Sequence, residues 1–274
     1  MTIERRPRGR PREDWPREDK SDVKVNQSLE KALGLLKAIS AQDGMTLTDI
    51  SQATGLAPST AHRLLATLAG HDLVACDELR QTWAIGIEAL RIGMAFQRRN
   101  KLLMAGRPAM TELMQATGET VNLGMLDKND VVFVAQVECD APIRAFFRIG
   151  ERRALYASGI GKALLAHMAE PALERYLRSP LKALTPATVV DPAKLRDNLD
   201  LIRRRGWSLD DEEATPGMRC VAAAVFNEFG EARAGISLSG PSSRLTPDRL
   251  DALGERVRAT ADAVSRLIGG HLLT

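Results

Sequence analysis

The first predicted helix is marked by apolar residues that share one face of a helical repeat. Leu29, Leu33, Leu36 and Ile39 follow one another at steps of three and four residues. Gly44 then interrupts the pattern, because glycine is unfavourable inside a helix. We therefore expect a helix that begins near residue 28 and ends before the glycine.

Two shorter helices are predicted next, with a tight turn between them. Thr46 or Thr48 can cap the second helix, and Gly55 ends it. Its apolar face consists of Leu47, Ile50 and Ala53. Pro58 suits the first position of a third helix, which Gly70 follows. The apolar stripe of that helix consists of Ala61, Leu64, Leu65 and Leu68. Two short helices around a glycine-containing turn predict a helix-turn-helix.

The opposite face of the third helix carries hydrogen-bonding side chains without an acid. These are Ser59, Thr60, His62, Arg63 and Thr67. Such a face suits a helix whose first half enters the major groove of DNA, although an ordinary solvated face is the alternative. Short strands predicted at 73–76 and 82–85 would form a wing, and together with the turn they favour DNA contact. Residues 26–86 are thus predicted to form a winged helix-turn-helix domain.

The N-terminal segment, residues 1–25, is rich in proline and charged residues and nearly free of aliphatic ones. This composition predicts a disordered basic arm. Within it, residues 6–11 (RPRGRP) resemble an AT-hook, in which Arg8 and Arg10 would enter the narrow minor groove of A·T-rich DNA. A merely solvated basic tail is the alternative, because short basic motifs often occur by chance.

The rest of the chain is predicted to form a connector helix at 87–100 and a second domain at 101–274. The predicted strands are 120–126, 131–137, 143–148, 207–209, 221–226 and 232–238. The predicted helices are 102–116, 161–168, 192–205 and 247–268. The fold class is therefore α+β: an N-terminal winged helix-turn-helix, a helical connector, and a C-terminal α+β ligand-sensing domain with a mostly antiparallel sheet.

Composition and charge narrow the class of protein. The 274 residues are 44% hydrophobic and 27% charged, as in ordinary soluble proteins, and no apolar run approaches the roughly 18 residues that span a bilayer. The charged N-terminus lacks the apolar centre of a secretory signal, so we expect a cytoplasmic protein of two domains without a membrane partner. The net charge of +3 is small, but residues 5–12 hold five arginines beside the predicted DNA-binding domain. Three widely spaced cysteines are expected to be reduced thiols: Cys76, Cys139 and Cys220.

Several separated segments, between residues 25 and 268, resemble the IclR family of bacterial transcription regulators. They are 27–33 (QSLEKAL), 58–65 (PSTAHRLL), 118–123 (GETVNL), 157–165 (ASGIGKALL), 210–213 (DDEE) with Gly217 and Cys220, and 237–246 (SLSGPSSRLT). The resemblance implies a regulator that binds double-stranded operator DNA and senses a small carboxylate, without a cofactor.

The arginine-rich arm, a Gln-x-Glu-Cys stretch at 136–139 and Cys220 are most similar to the allantoin and glyoxylate regulators of that family. This similarity implies a small α-oxo acid as the effector, with glyoxylate favoured. The regulated metabolism would be allantoin use or the β-hydroxyaspartate route of glyoxylate assimilation.

The sensor site suggested by the chemistry lies where residues 158–161 (SGIG) begin a helix. The first N–H groups of a helix bind anions through hydrogen bonds and the helix dipole, although a simple turn into the helix is the alternative. The resemblance implies a ligand site made of Gly159, Ile160, Asp210, Cys220, Ser237 and Ser239. The two serines alternate along a predicted strand, so both hydroxyls face one side and could bind one carboxylate or hydrate.

The roles of Asp210 and Cys220 remain open at the level of the sequence. Asp210 could accept a hydrogen bond from an aldehyde hydrate, but it would repel an anion unless protonated or otherwise bonded. Cys220 is either a small buried apolar residue or a thiol that adds reversibly to the aldehyde. An enzyme with Cys220 as nucleophile, assisted by Asp210 or His167, is the competing class, but no base motif accompanies the cysteine. A zinc-dependent sensor lacks clustered ligands. We expect neither catalysis nor a metal.

The assembly is predicted to be at least a dimer, because one recognition helix reads too few base pairs to specify a site. The first helix and the helix at 86–98 would supply contacts between subunits. The family resemblance further implies a homotetramer, a dimer of dimers.

Overall fold

The computed structural model describes residues 26–42 and 44–271, and the chain divides into two compact units, 1–96 and 97–274. The predicted arm, including Arg8 and Arg10, lies outside the described residues. Within the described ranges, no helix is both long and apolar enough to cross a membrane.

The N-terminal unit contains the three predicted helices and the predicted wing. Its elements are α1 (Gln27–Ala41), β1 (Met45–Thr46), α2 (Leu47–Thr54), α3 (Pro58–Ala69), β2 (Val74–Asp77) and β3 (Thr82–Ile85). β3 lies between β1 and β2 and is antiparallel to both. The sequence pattern did not indicate β1, which has two residues. The winged helix-turn-helix prediction is confirmed.

Capping interactions fix where α2 begins and where it ends, ahead of the turn into α3. The Thr46 hydroxyl accepts the N–H of Asp49 at 3.2 Å, and the Asp49 carboxylate accepts the N–H of Thr46 at 2.9 Å. Gly55 ends α2 with a φ of +67°, a left-handed conformation that favours glycine. The three helices then share one apolar core, formed by Leu35, Ile39, Met45, Ile50, Ala61, Leu65, Leu68 and Val74.

The next helix, α4 (Ile87–Arg99), begins directly after the wing. Gly86 separates it from β3, and a Cβ there would lie 2.2 Å from the backbone oxygen of Asp72, so only glycine fits. One set of apolar side chains on α4 is exposed: Ile87, Leu90, Ile92, Met94 and Phe96.

The C-terminal unit is a six-stranded antiparallel sheet with helices on both faces. Its strands are β4 (Thr120–Asp127), β5 (Asp130–Val137), β6 (Arg152–Ala154), β7 (Ser208–Asp211), β8 (Met218–Phe226) and β9 (Ala232–Pro241), in the order β6-β5-β4-β9-β8-β7. Its helices are α5 (Lys101–Thr117), α6 (Gly159–Ala166), α7 (Glu170–Leu177), α8 (Pro192–Arg205) and α9 (Pro247–Leu267). α5 and α9 pack on one face, and α6, α7 and α8 pack on the other.

The strand predicted at 143–148 is wrong, because residues 138–151 form a loop. Ile143 and Phe146 are 73% and 62% exposed, so the apolar residues of this segment do not mark a buried strand. The short strand β6 pairs with β5 instead. Helix α7 was missed, and α6 begins two residues earlier than predicted because Ser158 caps it.

Candidate functional site

A cavity of about 350 Å³ lies between the first turn of α6 and the sheet of the C-terminal unit. It is bordered by every ligand residue that the sequence resemblance implied: Gly159, Ile160, Asp210, Cys220, Ser237 and Ser239. The fold thus brings together residues that are up to 80 positions apart in the chain.

The strand register explains why these polar side chains meet. Ser239 on β9 pairs directly with Cys220 on β8, which pairs with Asp210 on β7. Directly paired residues point to the same face of a sheet, so the three form one row beneath α6. Ser237, two residues before Ser239, stands on that face in the next row.

The first turn of α6 presents backbone N–H groups to the cavity. The Ser158 hydroxyl caps the helix by accepting the N–H of Gly161 at 3.1 Å. The N–H groups of Gly159 and Ile160 have no acceptor within the helix, since the first N–H groups of any helix lack one. Together with the helix dipole, they favour a bound anion.

Glycine residues allow α6 to approach the sheet this closely. A Cβ on Gly159 would lie 2.8 Å from Cys220 Sγ, and a Cβ on Gly161 would lie 2.2 Å from the backbone oxygen of Leu155. The Ile160 side chain fills the space above Gly235, where a Cβ would lie 2.8 Å from Ile160 Cγ2. Because its side chain packs on the sheet, Ile160 contributes its polar chemistry to the cavity through its backbone.

A buried ion pair fixes α6 to the strand that carries Asp210. The Lys162 side chain is fully buried, pairs with Glu213 and donates to the backbone oxygen of Leu209. The Ser208 hydroxyl adds a hydrogen bond to the backbone oxygen of Gly159 at 2.6 Å. Neither Lys162 nor Glu213 was predicted from the sequence to take part in the site. The available signal was a lysine inside an otherwise apolar helix.

Asp210 is held in a defined orientation by backbone groups. Its Oδ1 accepts the N–H groups of Glu213 at 2.8 Å and Ala214 at 3.3 Å. Burial raises the pKa of Asp210 to about 6, and the charge of Glu213 adds to this rise, while Lys162 and the two hydrogen bonds oppose it. Asp210 therefore changes between its protonated and ionised forms at a pH close to neutral, near its pKa of about 6.

Cys220 lacks the surroundings of a nucleophile. Burial raises the pKa of its thiol to about 11, and the neighbouring Asp210 charge contributes, while Ser239, Ser237 and Lys162 lower it. The thiol is therefore protonated at neutral pH. His167 caps the far end of α6, and its ring packs edge-on against Phe226 with centroids 5.0 Å apart. The two partners considered from sequence thus do not activate the cysteine.

Ser237 carries the clearest sign of a missing partner. The residue is 1% exposed and borders the cavity, and its hydroxyl has no hydrogen-bond partner among the residues that the structure describes. A buried polar group without a partner costs about 1–3 kcal/mol. A ligand or a water in the cavity would satisfy it.

Residues of the 138–151 loop also line the cavity. Phe147 stacks on Phe133 with centroids 4.7 Å apart, and the Arg153 guanidinium lies 5.3 Å from the Phe147 ring centroid. Arg144 also borders the cavity and pairs with Glu138 at 2.9 Å. Arg144 and Phe147 were not predicted from the sequence to line the site, because the loop was interpreted as a strand.

The polar face of α3 is accessible in the N-terminal unit. Ser59, His62, Arg63 and Thr67 are exposed and Thr60 is partly exposed. The Thr67 hydroxyl donates to the backbone oxygen of Arg63 at 3.0 Å, so it presents an acceptor rather than a donor. The α3 sequence contains no acid, which leaves this face without a fixed negative charge of its own.

Comparison with known proteins gives two family matches and several relatives. Residues 28–78 match the IclR helix-turn-helix domain, and residues 94–266 match the C-terminal domain of the bacterial transcriptional regulator IclR. The chain is 46% identical over 266 residues to the HTH-type transcriptional regulator BhcR of Paracoccus denitrificans, covering 97% of this chain and 95% of the relative. It is 41% identical over 271 residues to the HTH-type transcriptional repressor AllR of Klebsiella pneumoniae, covering 98% of each. The crystal structure of Thermotoga maritima IclR superposes with a TM-score of 0.74 at 27% identity, covering 89% of this chain and 99% of that one.

Proposed function

This chain belongs to the IclR family of bacterial transcriptional regulators, and we propose that a small α-oxo acid binds in the α6 cavity and changes the affinity of the protein for operator DNA. Glyoxylate is the favoured acid. The protein is a ligand-responsive DNA-binding regulator. The relatives with which it aligns along nearly their whole length are regulators and not enzymes.

The proposed binding mode uses donors for the anion and hydroxyls for the remaining oxygens. The effector carboxylate accepts the N–H groups of Gly159 and Ile160. Ser237 and Ser239 bond the oxo group or its hydrate. The observation that carries the proposal is the buried Ser237 hydroxyl without a partner, facing a cavity at a helix N-terminus.

Asp210 and Cys220 are proposed to complete the inner end of the site. When protonated, Asp210 can donate a hydrogen bond to the effector rather than repel it. Cys220 contributes a small, weakly polar surface beside the carbonyl carbon of the effector. Because its thiol is protonated, covalent addition of the thiol to that carbon is disfavoured.

The size of the cavity favours a second candidate effector class. Its volume of about 350 Å³ exceeds that of a two-carbon acid, and its outer end is lined by phenylalanine and arginine side chains. A larger carboxylate would keep the same anion contacts and place its body against Phe133 and Phe147.

The DNA contacts are proposed to come from α3. Arg63 and His62 reach base edges or phosphates, with Ser59, Thr60 and Thr67 as neighbours. The arm residues Arg8 and Arg10, outside the described residues, are proposed to add minor-groove contacts. The exposed apolar residues of α4 are proposed to join subunits in a dimer, and two dimers a tetramer.

The test begins with an operator selected from a random-sequence DNA pool, because the site is unknown. Its affinity is measured by fluorescence anisotropy at several salt concentrations, with glyoxylate, pyruvate or no effector. We expect Arg63→Ala to weaken DNA binding and leave effector affinity unchanged. We expect Ser239→Ala to weaken effector binding by about 1–3 kcal/mol and leave DNA binding without effector unchanged.

The outcomes separate the parts of the proposal. Unchanged operator affinity for a folded Arg63→Ala would contradict the role of α3. A wild-type protein that binds DNA but neither acid would contradict the effector assignment alone.

A further inference from the structure

A chain of polar side chains leads from the cavity across the sheet to β5. Asn122 on β4 pairs in register with Ser237 on β9 and with Gln136 on β5. Asn122 is fully buried. It therefore stands on the cavity face of the sheet, between the two cavity serines and Gln136.

The hydrogen bonds along this chain have one direction. Gln136 Nε2 donates to Asn122 Oδ1 at 2.8 Å, and Asn122 Nδ2 donates to Ser239 Oγ at 3.3 Å. The Ser239 oxygen thus accepts a hydrogen bond from Asn122 Nδ2, and its own hydroxyl proton must point elsewhere. The cavity and Cys220 lie on that other side.

We propose that Gln136 and Asn122 are positioning residues that fix the Ser239 hydroxyl as a hydrogen-bond donor into the cavity. An effector must then present an acceptor oxygen, such as a carboxylate or oxo group, at this point. The selection of effectors rests on the proposed function, whereas the orientation of the hydroxyl does not. The buried Asn122 amide keeps its orientation because turning it over would break its hydrogen bonds to Gln136 and to Ser239 at once.

The substitution Gln136→Glu reverses the chain with almost no change in shape. An ionised carboxylate only accepts, so Asn122 must turn its Nδ2 toward residue 136 and its Oδ1 toward Ser239. The Ser239 hydroxyl then donates to Asn122 and is lost to the effector. The control Gln136→Met removes the first bond without imposing the reverse direction.

The experiment compares wild type, Gln136→Glu and Gln136→Met, each with Ser239 and with Ser239→Ala, by calorimetric titration with glyoxylate and pyruvate. We expect Gln136→Glu to weaken binding by on the order of tenfold, the worth of one hydrogen bond, and Gln136→Met by less. With Ser239→Ala, Gln136→Glu should have no further effect, because the hydroxyl that it reorients is gone. An equal loss in both backgrounds would mean that the added charge acts through space, which overturns the proposal.

A second readout needs no effector. In the unligated wild type the Ser239 hydroxyl points toward Cys220 and stabilises its thiolate, so turning it toward Asn122 changes the rate at which iodoacetamide alkylates Cys220. Peptide mass spectrometry follows this rate against pH and separates Cys220 from the exposed Cys76. Gln136→Glu should shift the profile to higher pH with Ser239 and leave it unchanged with Ser239→Ala.

These readouts keep the two proposals apart. If wild type binds neither acid, the effector assignment is wrong, and the alkylation profile still decides the role of Gln136. Identical profiles for wild type and Gln136→Glu would overturn that role. If Gln136→Glu does not fold, Gln136→Met serves in both readouts, with a smaller loss that must again require Ser239.

Discussion

Replacement of Asp210 by asparagine tests the electrostatics of the cavity with little change in shape. The asparagine Oδ1 can still accept the N–H groups of Glu213 and Ala214, so the turn after β7 is retained. The buried cluster of Lys162, Glu213 and an ionised Asp210 carries one surplus negative charge. The variant removes that surplus.

The magnitude follows from the shift in the pKa of Asp210 from 3.8 to about 6. A rise in pKa of about 2 units corresponds to about 3 kcal/mol. The free energy of unfolding of the wild type falls by this amount when Asp210 ionises in the folded protein. Because the folded pKa lies above the unfolded one, this loss develops as pH rises from about 4 to about 6 and is constant above. Asp210→Asn should therefore be about 3 kcal/mol more stable than wild type at pH 7.5, and about equal near pH 4.

The assay is urea unfolding of the full-length protein between pH 4 and pH 8, followed by a tryptophan signal from the C-terminal unit. Trp207 is 3% exposed in that unit, and the substitutions Trp15→Phe and Trp83→Phe leave it as the single tryptophan reporter. A stability difference that does not depend on pH, or a variant less stable than wild type at pH 7.5, would refute the reasoning.

The same substitution bears on effector binding. An anion placed beside an ionised Asp210 adds a second negative charge, so wild type should take up a proton when it binds glyoxylate near pH 7. Calorimetry in two buffers of different ionisation enthalpy measures this uptake. Asp210→Asn should bind glyoxylate without it.

Three further predictions concern single positions. Gly159→Ala should weaken effector binding in calorimetry, because its Cβ would meet Cys220 Sγ at 2.8 Å, whereas Gly93→Ala, with nothing within 4 Å, should not. Arg244→Lys should speed protease cleavage within the 138–151 loop, because Arg244 donates to the backbone oxygen of Ile143 at 2.9 Å and lysine lacks the several N–H donors of the guanidinium group. Unchanged cleavage would contradict this. Leu90→Glu, on the exposed face of α4, should lower the mass by light scattering, and an unchanged oligomer would exclude this face as the contact.

The helix-turn-helix was predictable because local signals agree with the tertiary contacts. Pro58 begins α3 and the apolar stripe that includes Ala61 and Leu65 faces the core. The 138–151 loop was not predictable in this way. Its apolar residues follow one another closely enough to suggest a strand, but Ile143 and Phe146 are exposed, and the loop is held by long-range contacts such as Phe147 on Phe133.

The candidate site was only partly accessible from sequence. The serines on β9 and the glycines in the first turn of α6 carry their own signals, namely alternation and a helix start. Asn122 and Gln136 lie in segments that carry the family resemblance, but nothing in the sequence indicated a role in the site, because that role depends on which strands pair and in what register. Lys162 and Glu213 are 51 residues apart, so their pairing also appears only in the folded chain.

An effector bound in the α6 cavity is proposed to change the affinity of the protein for operator DNA. The most direct measurement is calorimetric titration of the full-length protein with glyoxylate, with and without saturating operator. We expect operator to change glyoxylate affinity by roughly 5- to 150-fold, and glyoxylate to change operator affinity by the same factor. Glyoxylate binding of equal strength in the presence and absence of operator would contradict it.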